Sequence, residues 1–238
     1  MVDGLDRNLY PFLQVKPGTL MVAAGPQFKP RKISDAEFRR SNVFVAWSGK
    51  AGRQVQLIGP NQYDAWLLIE FGPDVVWFCE RPPIYVELLP LEGKRRPLDF
   101  WVRERSGKQF GVVLHDVTLT RDKACSLDLL RRSIEASKLK CEIWQAADMR
   151  SRTTYVRNLK ELQPFVAMDQ PSDEKLANAL VAHLERVKTA SWSEMMTLFA
   201  SRFEGVVNME IARLIHAGRV TANLGDHALA SNTVLSLP

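Results

Sequence analysis

The sequence predicts an α/β protein: a mixed sheet flanked by helices, followed by a smaller helical unit that ends in a hairpin. Three observations lead there. Between residues 34 and 168, short apolar runs bounded by turn residues alternate with stretches of helical periodicity, the order expected of an α/β domain. Met168-Asp169-Gln170-Pro171-Ser172 is a polar break at which composition shifts, and it reads as a linker. Beyond it, three helical patterns precede two strand patterns. The predicted division is an extended arm over 1–33, an α/β domain over 34–168 and a second domain over 169–238.

Taken in order, residues 1–33 are punctuated by Pro and Gly with little periodicity. Ser34-Asp35-Ala36-Glu37 is a capping-box pattern that predicts a short helix to Arg40. Val43–Trp47 and Gln54–Ile58 read as strands around a Gly49–Gly52 turn. Pro60 opens a helix carrying Tyr63, Trp66, Leu67, Glu70 and Phe71, and Gly72-Pro73 closes it. Val75–Cys79 and Ile84–Leu88 are strand-length runs. A turn at Glu92-Gly93-Lys94 leads to a strand beside Asp99, and Ser106-Gly107-Lys108 leads to another over Val112–His115. Asp122–Lys138 is an amphipathic helix with Leu127, Leu130 and Ile134 on one face, Cys141–Trp144 a strand, and Tyr155–Phe165 a helix burying Leu159 and Leu162.

In the second unit the helices are Asp173–Lys188, a capped one from Ser191 to about Arg202, and Val206–Ala217 closed by Gly218. Arg219–Leu224 and Thr233–Leu237 flank a final turn. Three helices and a hairpin wing in this order are the plan of a winged helix, a relative of helix-turn-helix. On its third helix, Asn208, Glu210 and Arg213 are candidates to face a nucleic-acid groove.

Composition narrows the classes. At 238 residues, 46% hydrophobic and 25% charged, the chain has the make-up of a globular protein with ample core. No apolar run approaches the roughly 18–20 residues of a membrane span, and the first residues lack the pattern of a signal peptide. Cys79, Cys125 and Cys141 are odd in number and widely spaced, so they read as buried thiols of a cytoplasmic protein. The net charge of +5 is unevenly placed: the first 169 residues hold 26 Lys/Arg against 20 Asp/Glu, about +6, and residues 170–238 hold six against seven. The basic clusters Lys29-Pro30-Arg31-Lys32, Arg39-Arg40, Lys94-Arg95-Arg96 and Arg150–Lys160 suit phosphate contacts. Lys94, Arg95, Arg96, Arg150 and Arg152 are therefore the DNA-binding candidates. Trp66, Trp77, Phe78, Phe100 and Trp101 read as core rather than as a base-stacking platform.

The chemistry concentrates in Leu98–Asp116, LDFWVRERSGKQFGVVLHD. A carboxylate, Asp99, follows Pro97-Leu98; a tight turn and a second strand follow. This resembles the hairpin of PD-(D/E)xK nucleases, which place an Asp at the first point and an acid and a Lys, two apart, on the second strand. Here that strand offers Val113 and His115. With DAWLLIEFGPDVVWFCERPP (64–83), RRPLDFWV (95–102), the Cys141–Leu162 stretch with Asp148-Met149-Arg150 and Asn158-Leu159, and the final wing with Asn232-Thr233, the chain from about Arg39 onward resembles the TnsA family, the endonuclease subunit of heteromeric transposases. The resemblance implies a restriction-endonuclease-like mixed sheet flanked by helices and a C-terminal winged-helix domain. It also implies transposon-end DNA, a TnsB-like transposase and a TnsC-like ATPase as partners.

In that family a helix acid, the hairpin Asp and a strand acid hold magnesium, and a Lys lies beside the attacking water. Magnesium requires hard oxygen ligands, commonly two or more carboxylates with waters. The metal generates the nucleophile and neutralises charge growing on the phosphate. Carried onto this chain, the helix acid falls at Gln62, the hairpin Asp is Asp99, the strand acid falls at Val113 and the Lys at His115. One of four positions is kept. The implied reading is a DNA-transposition protein that binds DNA and docks partners with an inactive nuclease domain, magnesium being its cofactor only if cleavage survives. Two alternatives stand beside it: an active metal-dependent endonuclease with a rearranged site drawing on Asp99, Asp64 or Asp116, and His115; and a winged-helix DNA-binding regulator.

Overall fold

The computed structural model describes residues 28–88, 93–116, 126–168, 172–201 and 206–238. The arm before residue 28, the linker residues 169–171 and the start of the expected Asp122 helix lie outside the described residues.

A mixed four-stranded sheet organises the first part of the chain, in the order β3-β6-β7-β8. β3 (Val75–Glu80), β6 (Phe100–Glu104) and β7 (Gln109–His115) run antiparallel, and β8 (Cys141–Gln145) joins β7 in parallel. A parallel neighbour requires a crossover, which here includes α3 (Leu127–Ser137). Side chains alternate across the sheet. Phe78, Phe100, Val102 and Val112 enter the main core with Trp66 and Leu67 of α2 (Gly59–Glu70) and Leu159 and Leu162 of α5 (Thr153–Ala167). Leu98 and Val113 enter a second cluster with Val86, Leu130 and Ile134, so helices cover both faces. β7 is buried on both faces, which accounts for its nearly continuous apolar sequence.

The expected elements form, with differences at their ends. α1 (Asp35–Arg40) carries the full capping box: the Ser34 hydroxyl accepts from the Glu37 N–H and the Glu37 carboxylate accepts from the Ser34 N–H. β1 (Val43–Ser48) and β2 (Arg53–Ile58) make the expected hairpin. Among the described residues β4 (Tyr85–Glu87) and β5 (Arg95–Pro97) pair only with each other, with Arg95 and Arg96 in the strand and Lys94 just before it. α3 starts at Leu127, where the Ser126 side chain accepts from the Leu129 N–H. α4 (Ala146–Ser151) is an additional short helix before α5.

α2 departs from a one-sided helix. Gln62, Ala65, Trp66, Leu67, Ile69 and Glu70 are all buried, because the helix lies against α5 and β2 while its Glu70 meets the C-terminal region. A buried Glu70 needs partners, and the chain provides them.

The C-terminal unit comprises α6 (Glu174–Val187), α7 (Trp192–Phe199) and α8 (Val207–His216), with a small sheet in the order β10-β11-β9. β10 (Thr221–Ala222) and β11 (Val234–Ser236) are the expected hairpin, and β9 (Thr189–Ser191), not foreseen, pairs with β11. α7 ends at Phe199, short of Arg202. The main core runs on through this unit, with Leu180, Ile211 and Leu214 in one cluster with Leu159 and Leu162. Among the described residues no helix is long and apolar enough to cross a membrane.

Candidate functional site

The loop between β5 and β6 places Asp99 at the mouth of the sheet, and the backbone pins it there. Its N–H donates to Val112 O at 2.8 Å and its C=O accepts from the Arg81 N–H at 2.7 Å. Asp99 is 9% exposed, and its carboxylate has three donors of different kinds. Gln62 Nε2 donates to Oδ1 at 2.9 Å. The Leu114 N–H donates to Oδ2 at 2.7 Å, and Arg96 Nη2 donates to Oδ2 at 3.2 Å. Arg96 Nη2 also reaches Leu114 O at 3.1 Å, so one guanidinium clasps both the acid and the strand beside it. Gln62 is oriented in turn by the Ile58 N–H, which donates to its Oε1 at 2.8 Å and leaves its amide N–H₂ turned to Asp99.

Gln62, Asp99 and His115, the positions matched from sequence, thus line one cavity of about 300 Å³. Val113 does not join them: fully buried, its side chain lies in the cluster with Leu98 and Leu130. The next residues on the strand, Leu114 and His115, line the cavity instead. Asp116 also lines it and is held by Asn61 Nδ2 at 2.9 Å and by two Arg150 N–H groups at 3.2 and 3.3 Å. Asp64 is elsewhere, its Oδ1 2.6 Å from Lys160 Nζ.

These residues do not make a magnesium site. The ion asks for several hard oxygens free to coordinate. Asp99 already accepts from an amide, a backbone N–H and a guanidinium, the position matched to the helix acid presents an amide donor, and the position matched to the strand acid is a core valine. Among the described residues no group of three His, Cys, Asp or Glu side chains is placed to hold a metal.

Of the other charged cavity residues, Arg31 is legible from sequence only as part of the Lys29–Lys32 basic cluster, and Glu37 of α1 and Arg81 after β3 are not legible as site residues. Arg31 and Glu37 form a two-pronged pair at 3.1 and 3.3 Å, and the hydrogen bond from Arg31 is the main cause holding the Glu37 carboxyl down at about 2. Arg81 is 3% exposed and adopts φ +46°, a left-handed conformation costing a non-glycine residue ~1–2 kcal/mol. Hydrogen bonds on both sides fix it, its N–H to Asp99 O and its C=O accepting from the Arg31 N–H at 2.8 Å. Burial pushes its pKa below the ordinary arginine value, though arginine remains a cation at neutral pH. Its neighbour Glu80 is paired away with Arg53 at 2.6 and 2.7 Å. The residues Glu80-Arg81 ahead of Pro82-Pro83 were the available signal, and nothing in their spacing ties them to Asp99.

Compared with known proteins, the chain matches no protein-family model and no curated protein.

Of the basic candidates only Arg96 lines this cavity, and Arg150 reaches it through Asp116. Lys94 and Arg95 are exposed, with the Arg95 guanidinium 5.4 Å from the centre of the Tyr85 ring. Arg96 turns inward to Asp99. Arg150 is exposed and paired to Asp116, and Arg152 is exposed between α4 and α5. The proposed groove-facing residues of α8 are engaged within the protein. Asn208 Oδ1 accepts from Trp192 Nε1 at 2.7 Å, the buried Glu210 accepts from the Ser172 hydroxyl at 2.6 Å, and Arg213 donates to Met168 O at 2.9 Å. Seven of the ten residues of α8 are buried, so this helix serves the core rather than presenting a reading face.

Proposed function

We propose that the chain is a TnsA-like DNA-transposition protein that binds DNA and docks transposase and ATPase subunits on a restriction-endonuclease-like scaffold without cutting. The observation that carries this reading is the state of Asp99: a guanidinium, an amide and a backbone N–H satisfy the carboxylate that the resemblance would assign to magnesium. Arg96 supplies there the positive charge a metal would supply, but it cannot generate a hydroxide nucleophile. The mixed sheet with helices on both faces, and the three helices with a small antiparallel sheet that follow, support the two-part scaffold. The exposed Lys94, Arg95, Arg150 and Arg152 are the DNA-contacting groups of this reading. The burial of α8 favours the C-terminal winged-helix unit as a docking module for TnsB-like and TnsC-like partners over a stand-alone DNA reader.

The test is incubation of supercoiled plasmid carrying a transposon end with the protein in magnesium or manganese. DNA should be bound, equally with and without chelator, and left covalently closed. Nicking that disappears in Asp99→Ala would show that the site is a working metal centre and overturn the reading.

A further inference from the structure

The cavity beside Asp99 contains a charge that no carboxylate among the described residues pairs with directly. Its acids are each matched: Glu37 by Arg31, Asp99 by Arg96 and Asp116 by Arg150. Glu80, adjacent to Arg81 in sequence, is matched by Arg53. Among the described residues, Arg81 is the cavity arginine without an ion pair. It is 97% buried, lines the cavity, and its Nε and Nη1 are sealed from solvent with no acceptor among the described residues. A buried guanidinium without an acceptor is costly, and its backbone is held in a left-handed conformation by bonds to Arg31 and Asp99. Glu80 and Glu37 favour its charge from a distance, yet among the described residues two of its N–H groups have no acceptor. Arg31 Nε is likewise buried without an acceptor, and Arg96 closes the other side.

We infer that this cavity binds a phosphomonoester, and specifically the phosphorylated end of a DNA strand, with Arg81 as the anchoring cation and Arg31 and Arg96 beside it. Planar guanidinium groups match the spacing of phosphate oxygens and bond them in pairs. A monoester carries about −1.5 to −2 at neutral pH, which suits a buried cation flanked by further N–H donors better than the single charge of a diester does. Size points the same way: a space of about 300 Å³ holds a phosphate with its sugar, whereas a continuous duplex cannot enter it. The assignment to a DNA end rests on the DNA-binding reading above; the phosphomonoester site itself rests on Arg81 alone.

The experiment separates the two. Binding of a duplex with a 5′-phosphate, a 3′-phosphate or hydroxyl ends is measured by fluorescence anisotropy, and thymidine 5′-monophosphate and inorganic phosphate are titrated by calorimetry, for wild type, Arg81→Gln and Arg31→Gln. One phosphorylated end should bind about tenfold or more tighter than the hydroxyl duplex, the worth of one charge-assisted contact. Arg81→Gln should erase that preference without weakening the hydroxyl duplex, and Arg31→Gln should reduce it. Melting curves of each variant establish that it is folded. DNA binding that ignores end phosphorylation overturns the end-capture inference and leaves the DNA reading intact. Arg81-dependent binding of the mononucleotide with no DNA binding at all upholds the phosphomonoester site and overturns its assignment to DNA. If neither the mononucleotide nor inorganic phosphate binds the folded wild type and end phosphorylation has no effect, the inference is wrong.

Discussion

Glu70 and His216, 146 positions apart, meet with His216 Nε2 2.8 Å from Glu70 Oε1 and so tie α2 to α8. The Glu70 side chain is almost entirely buried, and Ser48 Oγ at 2.6 Å and the Gly49 N–H at 2.8 Å complete its shell. Burial pushes its pKa up, but the hydrogen bond and charge of His216, the Ser48 hydroxyl and the Lys50 N–H together outweigh this and hold it below 4.5.

A carboxyl whose pKa is lower in the folded than in the unfolded chain contributes stability that is complete above the unfolded value and is lost as pH falls through the folded one. Stability should therefore decline as pH drops below 4.5. Glu37, held at about 2, adds to the same acid limb, so the diagnostic quantity is the difference between wild type and Glu70→Gln in urea midpoints from pH 7 to pH 3. The variant should be weaker at neutral pH and flatter in acid; parallel curves would rule out the coupling. His216→Ala, which removes one of several donors to a buried acid, should cost about 1–3 kcal/mol.

Asn158 makes a second bridge between the two parts. Fully buried on α5, it donates to Leu224 O at 2.7 Å and His227 O at 2.8 Å and accepts from the Leu229 N–H at 2.8 Å. Asn158→Ala leaves three backbone groups without partners and should destabilise by about 2–4 kcal/mol. Hydrogen exchange should show the Leu229 amide opening first; a protection pattern unchanged from wild type would contradict this.

Gly111 on β7 is required by space rather than by backbone angle. A Cβ there would lie 2.5 Å from Leu98 Cδ1 and 2.6 Å from Cys141 Sγ. Gly111→Ala should cost about 1–3 kcal/mol as overpacking. Because Leu98 immediately precedes Asp99, it should also perturb the cavity and weaken binding of the phosphorylated end. A thermal melt identical to wild type would refute the first half.

Lys94, Arg95 and Arg152 are the exposed phosphate contacts of the proposed function. Each change to Ala should weaken DNA uniformly across sequences and lower the salt-dependence slope by about 1, with no effect on the preference for phosphorylated ends. A sequence-selective loss would point to base contacts instead.

Local signals made much of the fold legible. The Ser34 and Ser191 capping boxes formed as the S-x-x-E spacing dictates, since both halves of that motif lie within one helical turn. The β6–β7 hairpin followed from its Ser106-Gly107-Lys108 turn. β9 was missed because three residues, Thr189–Ser191, show no period of their own and become a strand only by pairing with β11. On α8 the sequence leaves a groove-facing and a protein-contacting helix equally open. Asn208, Glu210 and Arg213 are polar in sequence, and only Trp192, Ser172 and Met168, brought in from other segments, reveal that they bond within the protein.

The sequence by itself determined the α/β order, the position of Asp99 ahead of a hairpin and the absence of acids at Gln62, Val113 and His115, because these depend on residue identity and short-range spacing. Tertiary structure decided what those residues do. Gln62, Arg96 and Leu114 converge on Asp99 from a helix, a strand and a backbone amide, and Glu80 pairs with Arg53 rather than with Arg81, which has no ion pair among the described residues. Charge balance in a cavity is a sum over residues distant in the chain, and no local pattern contains it.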